Sequence, residues 1–188
     1  MKITRMAILC LITVVLSFAP VLAQDHKEGE EHEELPQVEV VGGYSLLRSE
    51  GENLNGWKAA VSFNLNKWLA VAVDADGHYY SENSPEGRIK ESEHSLTAGP
   101  HFALRNKSKL VPFAYVLGGV AWERRSLNGI GETESGFAFE PGGGLDWEVS
   151  KRFSVRIFDV SASVTRIGGH TSTKPKFAAG IVLKFGKK

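Results

Sequence analysis

Residues 139–166 read FEPGGGLDWEVSKRFSVRIFDVSASVTR and predict two long strands joined by a tight polar turn at 148–152. Apolar residues occupy alternate positions on one face, namely Phe137, Phe139, Leu145, Trp147, Phe153, Val155 and Ile157. The other face carries charged or very small residues, namely Glu140, Gly142, Gly144, Asp146 and Arg156. A barrel closed within a membrane needs the apolar face outward, whereas a water-soluble sheet needs it on the closed side. The choice between a membrane barrel and a soluble one therefore depends on which face of this hairpin points outward.

The first 23 residues have the features of a secretory signal peptide. Lys2 and Arg5 are followed by an apolar segment at 7–18 and a small-residue cleavage site at 21–23. The only cysteine, Cys10, lies inside this leader. The remaining chain would have no disulfides, thiol nucleophiles or thiolate metal sites.

Residues 24–36 form a short acidic segment, QDHKEGEEHEELP, which we expect to be a solvated linker. Residues 24–188 contain 20 basic and 22 acidic side chains, so nothing indicates a nucleic-acid partner. The longest apolar run after the leader has 13 residues, 110–122, and is too short for a spanning helix. Any membrane crossing must use strands. Residues 37–188 are expected to form the barrel domain.

Eight strands follow, with no convincing helical periodicity between them. Their predicted ranges are 38–47, 56–64, 68–80, 93–105, 110–123, 135–147, 153–166 and 176–185. At 9 to 14 residues they exceed the usual length of soluble strands and suit tilted strands that cross a bilayer. Strand seven changes phase after Ile157, so Arg156 and Asp159 both face inward only across a bulge.

The predicted connections alternate in length. Short turns follow strands two, four and six, at 65–67, 106–109 and 148–152. Long polar loops follow strands one, three, five and seven, at 48–55, 81–92, 124–134 and 167–175. This asymmetry is typical of outer-membrane barrels, with short turns in the periplasm and long loops outside. The sequence therefore predicts an all-β, eight-stranded antiparallel up-and-down transmembrane barrel.

Aromatic residues concentrate at the strand ends, as expected for rings at the two bilayer interfaces. The main interface residues predicted are Trp57, Trp68, Trp122, Trp147 and Phe185.

The chain resembles the eight-stranded outer-membrane barrel domains of the OmpA-like and opacity-porin-like group over residues 37–185. Segments that carry the resemblance are VEVVGGYSLLR, GWKAAVSFNLNKWLAVAVDADGHY, LVPFAYVLGGVAW, GGGLDWEVSKRFSVRIFDVSASVTR and FAAGIVLKFG. The resemblance implies a bacterial outer-membrane location and contact with outer-membrane lipids. It also implies insertion by the barrel-assembly machinery, which in that group reads a C-terminal Phe. Here Phe185 is followed by Gly186, Lys187 and Lys188.

A barrel of eight strands is narrow and is filled by its own side chains. Because buried charges need partners, the inward charged residues predict a structural ion-pair network. Its members are Lys58, Asp74, Asp76, His78, His101, Arg105, Glu140, Asp146, Arg156 and Asp159. The central pair is expected between Arg156 and either Glu140 or Asp159. The glycines of Pro141–Gly144 are expected to make room for large side chains on neighbouring strands.

Evidence for catalysis, a cofactor or a metal is thin. His94-Ser95 and His170-Thr171-Ser172 are the nearest matches to the His and Ser of lipid A acyltransferases and deacylases. PGGG is not a phosphate loop, because no helix follows it. We expect no catalytic, cofactor or metal site.

The sequence thus favours a small outer-membrane barrel with a structural role or an external partner bound through its four loops. Two alternatives stay open: an outer-membrane lipid-modifying enzyme, and a soluble secreted barrel that binds an apolar ligand.

Overall fold

A computed structural model describes residues 36–49, 51–84, 87–106, 108–128 and 130–186. The predicted signal peptide and all but the last residue of the acidic segment lie outside the described residues. Eight antiparallel strands each pair with the next, and β1 pairs with β8, so the sheet closes into a barrel. The strands are β1 (Val38–Ser49), β2 (Glu52–Asn64), β3 (Leu69–Ser84), β4 (Gly87–Ala103), β5 (Leu110–Leu127), β6 (Ile130–Ser150), β7 (Phe153–Ile167) and β8 (His170–Phe185). The predicted fold class is confirmed.

The outside of the barrel is a continuous apolar band. Exposed side chains alternate with buried ones along each strand, and the exposed ones include Val71, Val73, Leu96, Val116, Val120, Phe139, Ile181 and Leu183. Charged residues instead fill the interior. This orientation suits hydrocarbon outside and contradicts the alternative of a soluble barrel that binds an apolar ligand. No helix among the described residues is long and apolar enough to span a membrane.

Aromatic side chains border the apolar band at both ends. The predicted interface residues are all exposed, at 43% for Trp57, 49% for Trp68, 38% for Trp122, 47% for Trp147 and 52% for Phe185. Trp68 also stacks on Phe102, with ring centroids 6.1 Å apart. At the other end the exposed aromatics are Tyr44, Trp57, Tyr79, Trp122, Phe137 and Phe177. We call the strand ends beyond these six residues the outer rim.

The prediction of four long polar loops is wrong. Strand pairing continues to Ser49–Glu52, Ser84–Gly87, Leu127–Ile130 and Ile167–His170, so strands of 12 to 21 residues replace most of the loops. At the last of these ends Gly168 and Gly169 adopt φ of +57° and +82°, as a two-residue hairpin turn requires. The outer rim is therefore sheet. The opposite ends keep short connections, at 65–68, 104–109 and 151–152.

Two local predictions are confirmed. Two residues of β7 lie between Arg156 and Asp159, whereas one residue of β8 lies between their partners Gly180 and Ala178. This bulge turns both charges inward and leaves the side chains of 157 and 158 outside. The glycines of β6 do make room: a Cβ at Gly142 would lie 2.6 Å from the Tyr115 ring, and one at Gly144 would lie 2.7 Å from the Phe113 ring.

Candidate functional site in the barrel lumen and outer rim

The centre of the lumen is organised around two lysines. The Nζ of Lys58 lies 3.2 Å from Asp74, 3.0 Å from Asp159 and 3.6 Å from Glu140. Lys176 on β8 pairs with Asp76 and, at 2.7 Å, with Glu140. Each lysine thus serves carboxylates from several strands, which ties opposite sides of the barrel together.

Tyr115 joins this cluster through its hydroxyl group. Lys58 donates to the hydroxyl oxygen at 3.0 Å, and the hydroxyl donates to Asp159 at 2.7 Å. The aromatic rings of Tyr115, Phe113 and His101 are nearly parallel, with centroids of neighbouring rings 5.3 to 6.2 Å apart. A column of rings therefore fills the lumen next to the ion pairs.

Arg156 is held mainly by Asp146. Its Nε and Nη2 donate to the two carboxylate oxygens at 2.8 and 3.0 Å, and Nη1 lies 3.4 Å from Asp159. The guanidinium lies 4.0 Å from the centroid of the Phe113 ring. Of the two central pairs predicted, the one with Asp159 is present and the one with Glu140 is not. Glu140 instead accepts bonds from Lys176 and from Ser161, because the bulge carries Arg156 toward Asp146.

Arg105 does not belong to the central cluster. It lies in the connection after β4 and donates to Glu39 at 2.9 Å, to Asn64 at 3.1 Å and to the carbonyl of Lys67 at 3.0 Å. Its guanidinium therefore covers the short-turn end of the lumen. The other predicted members of the network, including His101, are buried on the lumen side.

Acids outnumber bases in the middle of the lumen. Asp74, Asp76, Glu140, Asp146 and Asp159 share three cations, Lys58, Lys176 and Arg156. Each cation contacts more than one carboxylate, so loss of a single base would leave buried charge without compensation.

A second, smaller cluster lies at the outer rim, beyond the apolar band. Lys174 donates to Glu93 and to Glu123, both at 2.6 Å. Burial raises the pKa of Glu93 to about 7, with a contribution from the Glu123 carboxylate, although Lys174 opposes it. The same two carboxylates raise the pKa of Lys174 despite its burial. A cavity of about 400 Å³ lies above this cluster and opens to solvent.

The sequence prediction missed Tyr115, Lys176 and the cluster around Lys174. Alternation from the exposed Phe177 places Lys176 and Lys174 on the lumen side, so strand parity was a usable signal for the lysines. Alternation from Trp122 likewise places Tyr115 on the lumen side, but the long apolar run of β5 gave no reason to expect a polar role for it.

The two catalytic look-alikes lie in different places, one across the wall of the barrel and one at its mouth. His94 faces outward against Tyr79, with ring centroids 5.3 Å apart, whereas Ser95 faces inward and donates to Asp76. His170 lies at the exposed end of β8. The sheet therefore separates His94 from Ser95, whereas His170 and Ser172 both line the cavity at the mouth without a carboxylate bonded to either of them in the described chain.

The structure does bring Ser45, His78 and Asp76 together in the lumen. The Oγ of Ser45 lies 2.8 Å from His78 Nε2, and His78 Nδ1 lies 3.4 Å from Asp76. Ser45 and His78 are fully buried, so no substrate can reach the hydroxyl. Nor does any part of the described chain gather three or more His, Cys, Asp or Glu side chains fit to hold a metal.

No protein-family model matches the sequence, and no curated protein matches it. Similar solved structures include Neisserial surface protein A (15% identity, 79% of this chain and 96% of that chain, TM-score 0.57). Another is Ail, the attachment invasion locus protein of Yersinia pestis, in complex with the heparin analogue sucrose octasulfate. It is 17% identical over 80% of this chain and 99% of that chain, with a TM-score of 0.53. A third is the N-terminal β-barrel domain of Pseudomonas aeruginosa OprF. It is 13% identical over 81% of this chain and 100% of that chain, with a TM-score of 0.52. All three are eight-stranded outer-membrane barrels, and this chain has their fold.

Proposed function

We propose that this protein is a closed outer-membrane barrel whose function is surface interaction through its outer rim. The observation that carries the proposal is the continuation of paired strands beyond the apolar band. After Trp122, β5 stays paired with β6 as far as Leu127 and Ile130. Such a wall keeps its shape above the membrane, so it can present polar groups to a partner without the ordering cost of a flexible loop.

The lumen network serves this role structurally. Its ion pairs fill the barrel and fix the positions of the strands, and its charges need no further function. Two similar structures are named as a surface protein and as an attachment protein, the latter bound to a sulfated ligand. Both names agree with a role at the cell surface.

The test is adhesion of cells that express the full chain. In the variant, residues 125–132 are replaced by Asn-Gly, so that Arg124 and Thr133, which already face each other, close a shorter hairpin. Surfaces coated with extracellular-matrix protein or with heparin serve as probes. We expect wild-type cells to be retained on at least one coating and the variant to lose retention there, with equal surface expression and heat-modifiable gel migration. Equal retention of the wild type and a strain without the protein on every coating would overturn the proposal.

A lipid-modifying activity is the remaining alternative, and the buried Ser45 and His78 do not favour it. Mass spectrometry of lipid A from cells with and without the protein distinguishes the two functions. A changed acyl pattern would support the enzyme, whereas an unchanged one supports surface interaction.

A further inference from the structure

Charge is segregated between the two faces of the outer rim. Among the described residues of the rim, every charged side chain on the outward face is basic, and all of them are exposed: Arg48, Arg88, Lys90, Arg124 and Arg166. The face toward the mouth is mostly acidic, with Glu52, Glu82, Glu91, Glu93, Glu123, Glu132 and Glu134 against Arg125 and Lys174, and Arg124 of the outward set also borders the cavity there. The same strands carry both sets on alternate residues, so the sequence keeps positive charge on the outward side of the rim.

Three of the outward bases come together on β4 and β5. Arg88, Lys90 and Arg124 line a cleft of about 400 Å³ on the outer wall, along with Tyr79 and hydroxyl groups that include Ser81 and Ser92. Arg124 lies opposite Ser92, which places it diagonally from Lys90 on the neighbouring strand. The Nε of Arg88 donates to Ser81 at 3.0 Å, which fixes its guanidinium at the edge of the cleft.

These bases lack acidic partners within the described part of the chain. Lys90, Arg88 and Arg124 make no ion pair there, whereas Lys58, Lys176 and Arg156 in the lumen each contact at least two carboxylates. Glu91 also lines the cleft, but its carboxylate pairs with Arg125 of the mouth face. Three cations held close together without counter-charge repel one another, so an anion bound between them would be stabilised.

The height of the cleft indicates where that anion comes from. Tyr79 forms part of its wall, and Trp122 precedes Arg124 by two residues on the same outward face. Amphipathic rings lie at the headgroup level of a bilayer, so the cleft opens where lipid phosphates are concentrated. Guanidinium groups bind phosphate through paired hydrogen bonds, and lysine adds a point charge.

We propose that the cleft formed by Arg88, Lys90 and Arg124 binds the phosphate groups of an anionic lipid in the outer leaflet. The acyl chains of that lipid would lie against Leu96 and Val120, which continue the outward face toward the middle of the band. Lipid binding here does not depend on the surface-interaction role. The two proposals are tested on different readouts, cell retention for the rim and lipid A retention for the cleft, and with different variants, so they can fail separately.

The experiment measures lipid retained by the purified full chain in phosphatidylcholine nanodiscs that contain about a tenth of lipid A or of its dephosphorylated analogue. One variant is Arg88→Gln/Lys90→Gln/Arg124→Gln. The matched control, Lys67→Gln/Lys109→Gln/Lys151→Gln, removes three exposed lysines at the short-turn end. Each basic residue near an anionic surface contributes about 1 kcal/mol, so the loss of three should weaken lipid A retention in the first variant by roughly 100-fold. The control variant should retain lipid A as the wild type does.

Three results would overturn the proposal. Equal retention of lipid A by the first variant and the wild type would exclude a site at these residues. Equal retention of lipid A and its dephosphorylated analogue by the wild type would exclude phosphate recognition. If the first variant instead loses binding of soluble heparin in detergent while lipid A retention is unchanged, the cleft serves a soluble polyanion. Heat-modifiable gel migration confirms that each variant is folded before it is compared.

Discussion

At the scale of single residues, the stability of the charge network in the lumen depends on a few cations, each of which contacts more than one carboxylate. Arg156 is the clearest case, because its fork binds both oxygens of Asp146 and its plane lies on Phe113. A lysine could not reproduce both contacts, since it offers a point charge without a planar fork.

Arg156→Met should therefore lower the free energy of unfolding by about 3–5 kcal/mol, because it leaves Asp146 buried without a partner. Denaturant or thermal unfolding in detergent micelles measures the loss. The double variant Arg156→Met/Asp146→Asn should recover a substantial part, since both charges are then gone. A single variant as stable as the wild type would contradict an energetic role for this pair.

Glu93 should make the stability depend on pH. Its pKa is about 7 in the folded barrel against an ordinary value of 4.5, so the folded state binds the proton more tightly than the unfolded state. The stabilisation is therefore full below pH 4.5 and is lost as the pH rises through 7. A shift of this size corresponds to about 3 kcal/mol.

Glu93→Gln mimics the protonated side chain and should lack this dependence. Unfolding of both proteins across this pH range gives the difference, with the wild type losing up to about 3 kcal/mol relative to the variant. Glu132→Gln removes an exposed carboxylate of the same rim and serves as the control. Parallel pH curves for wild type and Glu93→Gln would show that Glu93 does not carry the effect.

Residue-level reasoning from sequence was sound where one face of a strand was clearly polar. It assigned Lys58, Asp74 and Asp159 to the lumen because their neighbours alternate with apolar residues. It also placed a bulge between Arg156 and Asp159, since only a bulge turns both inward. The ion-pair partners of these residues were harder to predict, because the stagger of the strands around the barrel decides which carboxylate meets which base.

At the scale of strands, β5 and β6 are complementary in volume. β5 places the rings of Phe113 and Tyr115 inside, and β6 opposes them with Gly144 and Gly142.

Gly142→Ala should consequently destabilise the barrel. The new methyl group would lie 2.6 Å from the Tyr115 ring and 2.7 Å from Ser161 Cβ, and the bonds of the Tyr115 hydroxyl restrain its ring. Overpacking of this kind costs about 1–3 kcal/mol. Gly42→Ala is the control, because its Cβ would meet nothing within 4 Å. Unfolding in detergent compares the two, and equal stability would show that the ring moves aside without cost.

The outer rim is where sequence reasoning about elements failed. Segments such as 81–92 are polar on both faces, which is the usual sign of a loop. Above the membrane both faces of the wall meet polar surroundings, so strand pairing can continue without apolar alternation. The short turns were predicted more closely, because each lies between segments of clear alternation.

Backbone amides of the rim strands should therefore be protected from hydrogen exchange. Those of β4 and β5 between the paired residues Lys90–Ser126 and Ser92–Arg124 should exchange at least about ten times more slowly than those of Arg105 and Asn106 in the connection after β4. Exchange followed by NMR in micelles makes the comparison within one sample. Rates near those of an unstructured chain in the rim would contradict the sheet described here.

At the scale of the whole molecule, the barrel is closed in two senses. Its sheet has no free edge, and its lumen is filled by ion pairs and by the ring column of His101, Phe113 and Tyr115. An ion crossing the middle would have to displace charges that already hold several partners. The energy of opening this network is thus a barrier to conduction.

The wild-type protein should accordingly show no stable single-channel conductance in planar bilayers. Phe113→Ala/Tyr115→Ala removes two rings of the column and leaves a gap beside Lys58, which water would enter because polar groups surround it. This variant should give small, discrete current steps, provided that gel migration shows it to be folded. Discrete steps of constant amplitude in the wild type would mean that the network is an ion path, because a lumen filled only for support has no reason to open.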